Sequence, residues 1–177
     1  MVQSKMIFTK DTYNQMIERC KTVAVDFKQR GSAQRANLDT MNEDDIDDFG
    51  VSESDSQTLF DRLRTEMHVE SELDFFRDND AEYGRYSEHS DCVSLPLCIN
   101  YYSEGEIVEH MTHELYHAFQ YCAICEPESY PCFDEDTIRI WDHEFKHYIS
   151  GDKNMQQYLG QEIEKSAREF GEMMGRA

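Results

Sequence analysis

Thr112-His113-Glu114-Leu115-Tyr116-His117-Ala118-Phe119-Gln120 carries the densest chemical pattern in this 177-residue chain. His113 and His117 stand four residues apart, so on a helix both imidazoles leave from one face, about 6 Å apart at their bases. Two imidazoles so placed reach one zinc ion at about 2.0–2.1 Å. Glu114 is rotated off that line, which sets it against a water on the metal and lets it take that water's proton. The helix is predicted independently of the histidines. Ser103 and Glu106 form a capping box ahead of it, and Ile107, Met111, Leu115, Ala118 and Cys122 give an apolar stripe through to Cys125.

The same HExxH spacing occurs again at His143-Glu144-Phe145-Lys146-His147. The two are not equivalent. Met111, Leu115, Tyr116, Ala118 and Phe119 require the first helix to be buried, whereas Lys146 inside the second motif and Asp142 before it suit an exposed segment. The metal is therefore expected at the first.

Outward from the motif, helical spacing of Tyr13, Met16, Ile17, Cys20, Val23, Ala24 and Phe27 predicts a helix over 11–30, with Gly31 as its C′ residue. Residues 38–57 are acidic and poor in apolar groups, and are read as a loop or linker. An EF-hand loop from Asp45, Asp47 and Gly50 fails, because Phe49 and Ser56 stand where ligands are needed. A helix is predicted from Ser56 to Met67, and Leu73, Phe75 and Phe76 form a short apolar patch. Residues 83–86 and 92–99 read as two short strands, the second at a sheet edge because Pro96 cannot donate a ladder hydrogen bond. Residues 126–136, with Pro127 and Pro131, read as loop, followed by helices over 137–149 and 154–174. The expected organisation is one α+β domain over 1–177, with a helical N-terminal part (1–37), the acidic loop or linker (38–57) and a metal-binding core (82–174).

Composition narrows the function classes. Lys and Arg number 17 against 37 Asp and Glu, a formal net charge of −20. Such a surface repels phosphate backbones and anionic membranes, so neither nucleic acid nor a membrane is the expected partner. No apolar run approaches the roughly 18 residues of a membrane span, and the first residues lack the apolar core of a signal peptide. A soluble, cytoplasmic protein is expected, with its six cysteines reduced. Cys122-Ala123-Ile124-Cys125 has zinc or redox spacing, but no second such pair follows it, so packing or surface thiols are expected there.

A strand, a short loop and the helix bearing Thr112–Gln120 resemble the active-site region of the zincin metallopeptidases. The segment is similar to that of the small intracellular gluzincin-like members, the ImmA/IrrE-like group and the minigluzincins. The metzincin branch is excluded, since Gln120 and Ala123 stand where its Gly and His would be. The resemblance covers residues 83–172. It implies a zincin-like fold, with a small mixed or antiparallel sheet packed on the HExxH helix and further N- and C-terminal helices. It also implies zinc as cofactor, peptide or protein as substrate, and a third ligand from a later helix.

Glu162-Ile163-Glu164-Lys165-Ser166-Ala167 resembles the Glu-x-x-Ala element that supplies that ligand. On a helical wheel Ile163, Ala167, Phe170 and Met174 face inward, and Glu162 and Glu164 border them on opposite sides. Small neighbours at Gly160, Ala167 and Gly171 favour Glu164, with Glu162 as the alternative. The family's oxyanion donor leaves Tyr158, Tyr148, His143 and His147 as candidates. The edge strand around Leu95–Ile99 would pair with an extended substrate. Two other readings stay open: a catalytically inactive or latent zincin-fold regulator binding a protein partner through its acidic surface, and a metal-free acidic interaction protein.

Overall fold

The histidine-bearing segment folds as the helix α3 (Glu104–Cys125), around which the other elements are arranged in a computed structural model that describes residues 6–38, 51–76 and 84–177. Its start is fixed by the capping box. Ser103 Oγ accepts the Glu106 N–H at 3.3 Å, and the Glu106 carboxylate accepts the Ser103 N–H at 2.9 Å. A cap of this type contributes about 1 kcal/mol. The middle of the motif faces the core: Leu115, Ala118 and Phe119 are fully buried. Tyr116 is stacked on Phe170 at 4.6 Å, with its hydroxyl 2.9 Å from that of Tyr13. Phe119 sits among Phe8, Tyr13, Tyr130 and Phe133, with ring centroids 5.1–6.1 Å away. This packing fixes the rotation of α3 and sends His113 and His117 to a different neighbour.

Before α3 come α1 (Lys10–Leu38), α2 (Glu53–Met67), and the strands β1 (Glu72–Phe76), β2 (Arg85–Ser87) and β3 (Cys92–Pro96); after it come α4 (Glu135–Lys146), α5 (Gly151–Gly160) and α6 (Glu162–Arg176). The class is α+β, mostly helical, with a three-stranded mixed sheet in the order β1-β3-β2. β1 runs parallel to β3, with Leu73 opposite Val93 and Phe75 opposite Leu95. β2 runs antiparallel to β3, with Tyr86 opposite Val93. The expected edge position of the 92–99 strand is therefore corrected: β3 is central. Pro96 is tolerated because it is the last strand residue, after which the chain tightens into a 3-10 turn, Leu97–Tyr101. Leu97–Ile99 cannot serve as a pairing edge, and the apolar patch at 73–76 supplies a strand instead.

Several helix limits also differ from expectation. α1 passes through Gly31 without stopping. That glycine makes room for the Glu104 side chain, which a Cβ at position 31 would strike. α2 begins at Glu53 because Ser52 caps it, accepting the Asp55 N–H at 3.1 Å. The heart of the acidic segment, 39–50, lies outside the described residues, as does Tyr83. α4 starts at Glu135 under an Asp134 cap on the Thr137 N–H, 2.7 Å, and ends at Lys146.

The single helix expected over 154–174 is two, broken at Gln161 (φ −68°, ψ 131°). The Gln161 amide accepts the Ile149 N–H and donates to the Ile149 carbonyl, both at 3.0 Å. A helical wheel has no access to such a long-range clamp. α3 and α6 approach through small residues: a Cβ on Gly171 would lie 2.7 Å from the Glu109 carbonyl oxygen, and one on Gly175 3.0 Å from that of Gly105. Gly160 faces open space and plays no part in this approach. All six cysteines are free thiols. Among the described residues no helix is long and apolar enough to cross a membrane.

Candidate metal centre

His113 and His117 lie one turn apart on the side of α3 that meets α6, and Glu164 projects toward them from the first turn of α6. The His113 and His117 Nε2 atoms are 3.2 Å apart. Glu164 Oε2 is 3.3 Å from His113 Nε2, and Glu164 Oε1 is 3.5 Å from His117 Nε2. Ligands at about 2.0–2.1 Å from a tetrahedral zinc lie about 3.3–3.4 Å from one another. The histidine nitrogens are at about that spacing, and with one donor atom taken from each residue the three lie within 4.8 Å of one another; among the described residues they are the group that could hold a metal ion.

The local chemistry asks for a cation. Glu164 is 1 % exposed, and its Oε2 is buried without a hydrogen-bond partner. Oε1 accepts from the Tyr148 hydroxyl at 2.7 Å. Burial alone would push the Glu164 carboxyl up, but the His113 and His117 imidazoles and the Tyr148 hydroxyl hold it well below the usual carboxylate range. Glu162, by contrast, is exposed and pairs with Lys165 at 3.3 Å. Comparisons with protein-family models, curated proteins and solved structures return no match.

Gln120 sets the protonation of His117. Its Nε2 donates to the Ile163 carbonyl at 3.0 Å and to Ser166 Oγ at 2.8 Å, so its Oε1 is the acceptor that faces His117 Nδ1 at 2.8 Å. The proton then sits on Nδ1, and the Nε2 lone pair points into the donor triangle. Burial disfavours an imidazolium at His117, yet the hydrogen bond to Glu164 and the charges of Glu164 and Glu114 outweigh it and raise its pKa above 6.5. Gln120 follows His117 by three residues, a helix-face spacing visible in the sequence, although nothing there shows its link to α6.

Glu114 is 7 % exposed. Burial pushes its carboxyl above the usual range, while the charges of His113 and His117 pull it back. It also receives a main-chain hydrogen bond from Tyr86 on β2. Gly84, just before β2, packs on Glu114: a Cβ there would come within 2.9 Å of Glu114 Cγ. Sequence reading missed this glycine, which only the sheet order brings to α3.

Of the expected oxyanion donors, Tyr148 bonds Glu164 directly, and Tyr158 packs against Tyr148 with centroids 6.5 Å apart. Burial and the Glu164 charge raise both phenols well above their usual range, so both keep their protons. His143 and His147 stack on each other at 4.3 Å on the exposed end of α4. His110 packs against Tyr102 at 5.6 Å, and burial lowers its pKa. Burial pushes the Cys122 thiol up to about 11, which makes it a packing group and not a nucleophile at neutral pH.

Proposed function

We propose that this chain is a zinc-dependent metallohydrolase, a peptidase of the zincin type, with His113, His117 and Glu164 as the protein ligands and Glu114 as the general base. The observation that carries the reading is a cluster built from two helices: the His113 and His117 Nε2 atoms lie 3.2 Å apart, and the buried Glu164 carboxylate faces both, with Oε2 3.3 Å from His113 and Oε1 3.5 Å from His117. A zinc ion bound there supplies Lewis acidity, lowering the pKa of a water ligand to about 7 and polarising a carbonyl. Two imidazoles and one carboxylate form a set used by catalytic zinc and also by non-haem iron(II); the HExxH glutamate beside them is what favours zinc in this reading.

The chain's own groups divide the remaining work. Gln120 orients His117. Glu114, with a raised pKa and no direct place in the triangle, accepts a proton from the attacking water and returns it to the leaving amine. Tyr148 keeps its proton and donates a hydrogen bond to Glu164 Oε1, so its part is to hold the ligand carboxylate; to meet charge on a substrate carbonyl oxygen it would have to release that bond. An extended peptide would add to β2, the outer strand beside Glu114, in place of the 95–99 segment. The net charge of −20 favours basic peptides over acidic ones at the encounter stage.

The test is Glu114→Gln, which keeps the volume and removes the base. Zinc content should stay at the wild-type level while turnover of a peptide substrate, found by screening a mixed library, falls by about 10²–10⁴-fold. Unchanged turnover would remove Glu114 from the mechanism. Zinc retained by a wild type that cleaves no peptide would favour the regulatory reading.

A further inference from the structure

Glu144 belongs to the HExxH pattern that builds no donor triangle, yet both of its carboxylate oxygens face α6. Oε1 accepts the Glu162 N–H at 3.2 Å and Oε2 accepts the Ile163 N–H at 2.8 Å. These are the first two amides of α6, which have no acceptor within the helix. The N-cap residue of α6, Gln161, provides no side-chain cap, because its amide is spent on Ile149. A carboxylate from α4 therefore does what a local Ser or Asp would do elsewhere, and it meets the positive end of the helix dipole.

The residue after Ile163 is Glu164. Helix ends fray, and the first turn is where an uncapped helix loosens. Loosening by a fraction of an ångström would open the 3.3 and 3.5 Å edges that Glu164 makes with the two histidines. The other end of α6 is tied separately, by Lys28 Nζ donating to the Gly175 carbonyl at 3.1 Å and to the Ala177 carbonyl at 2.7 Å. The first turn is also held by Gln120, which donates to the Ile163 carbonyl and Ser166 Oγ, and by Tyr148 on Glu164; Glu144 is the group that holds its free amides, and the Lys28 anchor is remote from the ligand.

We propose that Glu144 is a positioning residue of the metal centre: by capping the first turn of α6 from α4, it holds the Glu164 carboxylate at ligand distance from His113 and His117. This rests on the metal centre proposed above, and it gives the second HExxH pattern a role in which its histidines have no part.

The experiment measures zinc affinity of the full chain by competition with a chromophoric chelator, together with the visible spectrum of the cobalt(II)-substituted protein. Glu144→Ala should weaken zinc binding by about 10–100-fold, the usual range for groups that support a ligand, and should alter the cobalt bands. Glu144→Gln keeps one neutral acceptor and should fall between Glu144→Ala and wild type. Lys28→Ala should lower the melting temperature and leave zinc affinity and the cobalt spectrum unchanged. Wild-type affinity and an unaltered cobalt spectrum in Glu144→Ala would overturn the proposal. So would a loss in Lys28→Ala equal to that in Glu144→Ala, since helix packing in general would then explain both. If Glu144→Ala does not fold, Glu144→Gln decides, and wild-type affinity there overturns the proposal. A wild type that binds no zinc overturns the metal centre and this role together, whereas zinc binding insensitive to Glu144 overturns this role alone.

Discussion

His113–His117 and His143–His147 share one spacing and have opposite fates. In the first, Leu115 and Tyr116 are pulled into the core, so the histidines are forced toward α6 and meet Glu164. In the second, Trp141 is the only residue of α4 that is fully buried, the histidines lie exposed at the helix end, and Glu144 turns to cap α6. Five residues cannot make a metal site by themselves. A site also needs a helix whose other face is buried, and a second element that delivers a carboxylate to the same point.

The largest effect that could break this contrast is metal loss. His113→Ala or His117→Ala should each abolish stoichiometric zinc, while His143→Ala and His147→Ala keep it, as read by elemental analysis after zinc loading near neutral pH. Equal loss from both pairs would erase the distinction. A smaller effect tests the support beneath the first motif. Gln120→Leu leaves all three ligands in place but frees the His117 tautomer, and should weaken zinc binding by about 10–100-fold in chelator competition. Unaltered affinity would mean that the 2.8 Å contact to His117 Nδ1 does not orient the ring.

A third effect concerns the metal-free protein and sharpens the comparison through pH. The His117 pKa is raised above 6.5, so its contribution to stability is complete below that value and is lost as pH rises through the folded-state pKa. The Glu164 pKa is depressed below 4.5, so its contribution is present above that value and is lost as pH falls toward the folded-state pKa. Metal-free protein should therefore melt highest between about pH 4.5 and 6.5. Glu164→Gln should flatten that maximum, whereas substitutions at His143 and His147 should leave its shape alone. A maximum that survives Glu164→Gln would assign it to other groups. The smallest effect is on stability itself: His143→Ala and His147→Ala, at exposed positions, should change unfolding free energy by no more than about 0.5 kcal/mol.

Much of the candidate centre was legible in the sequence because it is local. The capping box, the apolar stripe of α3 and the four-residue histidine spacing all fall within one helix, where periodicity speaks directly. The family resemblance pointed to the segment around Glu162 and Glu164, and small neighbours then favoured Glu164; one of those three, Gly160, faces open space. What the sequence concealed is long-range. The break at Gln161 depends on Ile149, the start of α6 depends on Glu144, and the contact of Gly84 with Glu114 depends on the sheet order. Pro96 misled for a related reason: proline excludes the middle of a ladder, but its exclusion ends where the strand ends, and that point is set by tertiary structure.

The most direct test of the metal centre is X-ray absorption at the zinc edge on protein loaded with one equivalent of zinc. The account predicts a shell of nitrogen and oxygen at about 2.0–2.1 Å with the outer scattering of two imidazoles, and loss of ordered coordination in Glu164→Ala. Zinc surrounded by sulfur at about 2.3 Å, or a shell unaltered in Glu164→Ala, would contradict it.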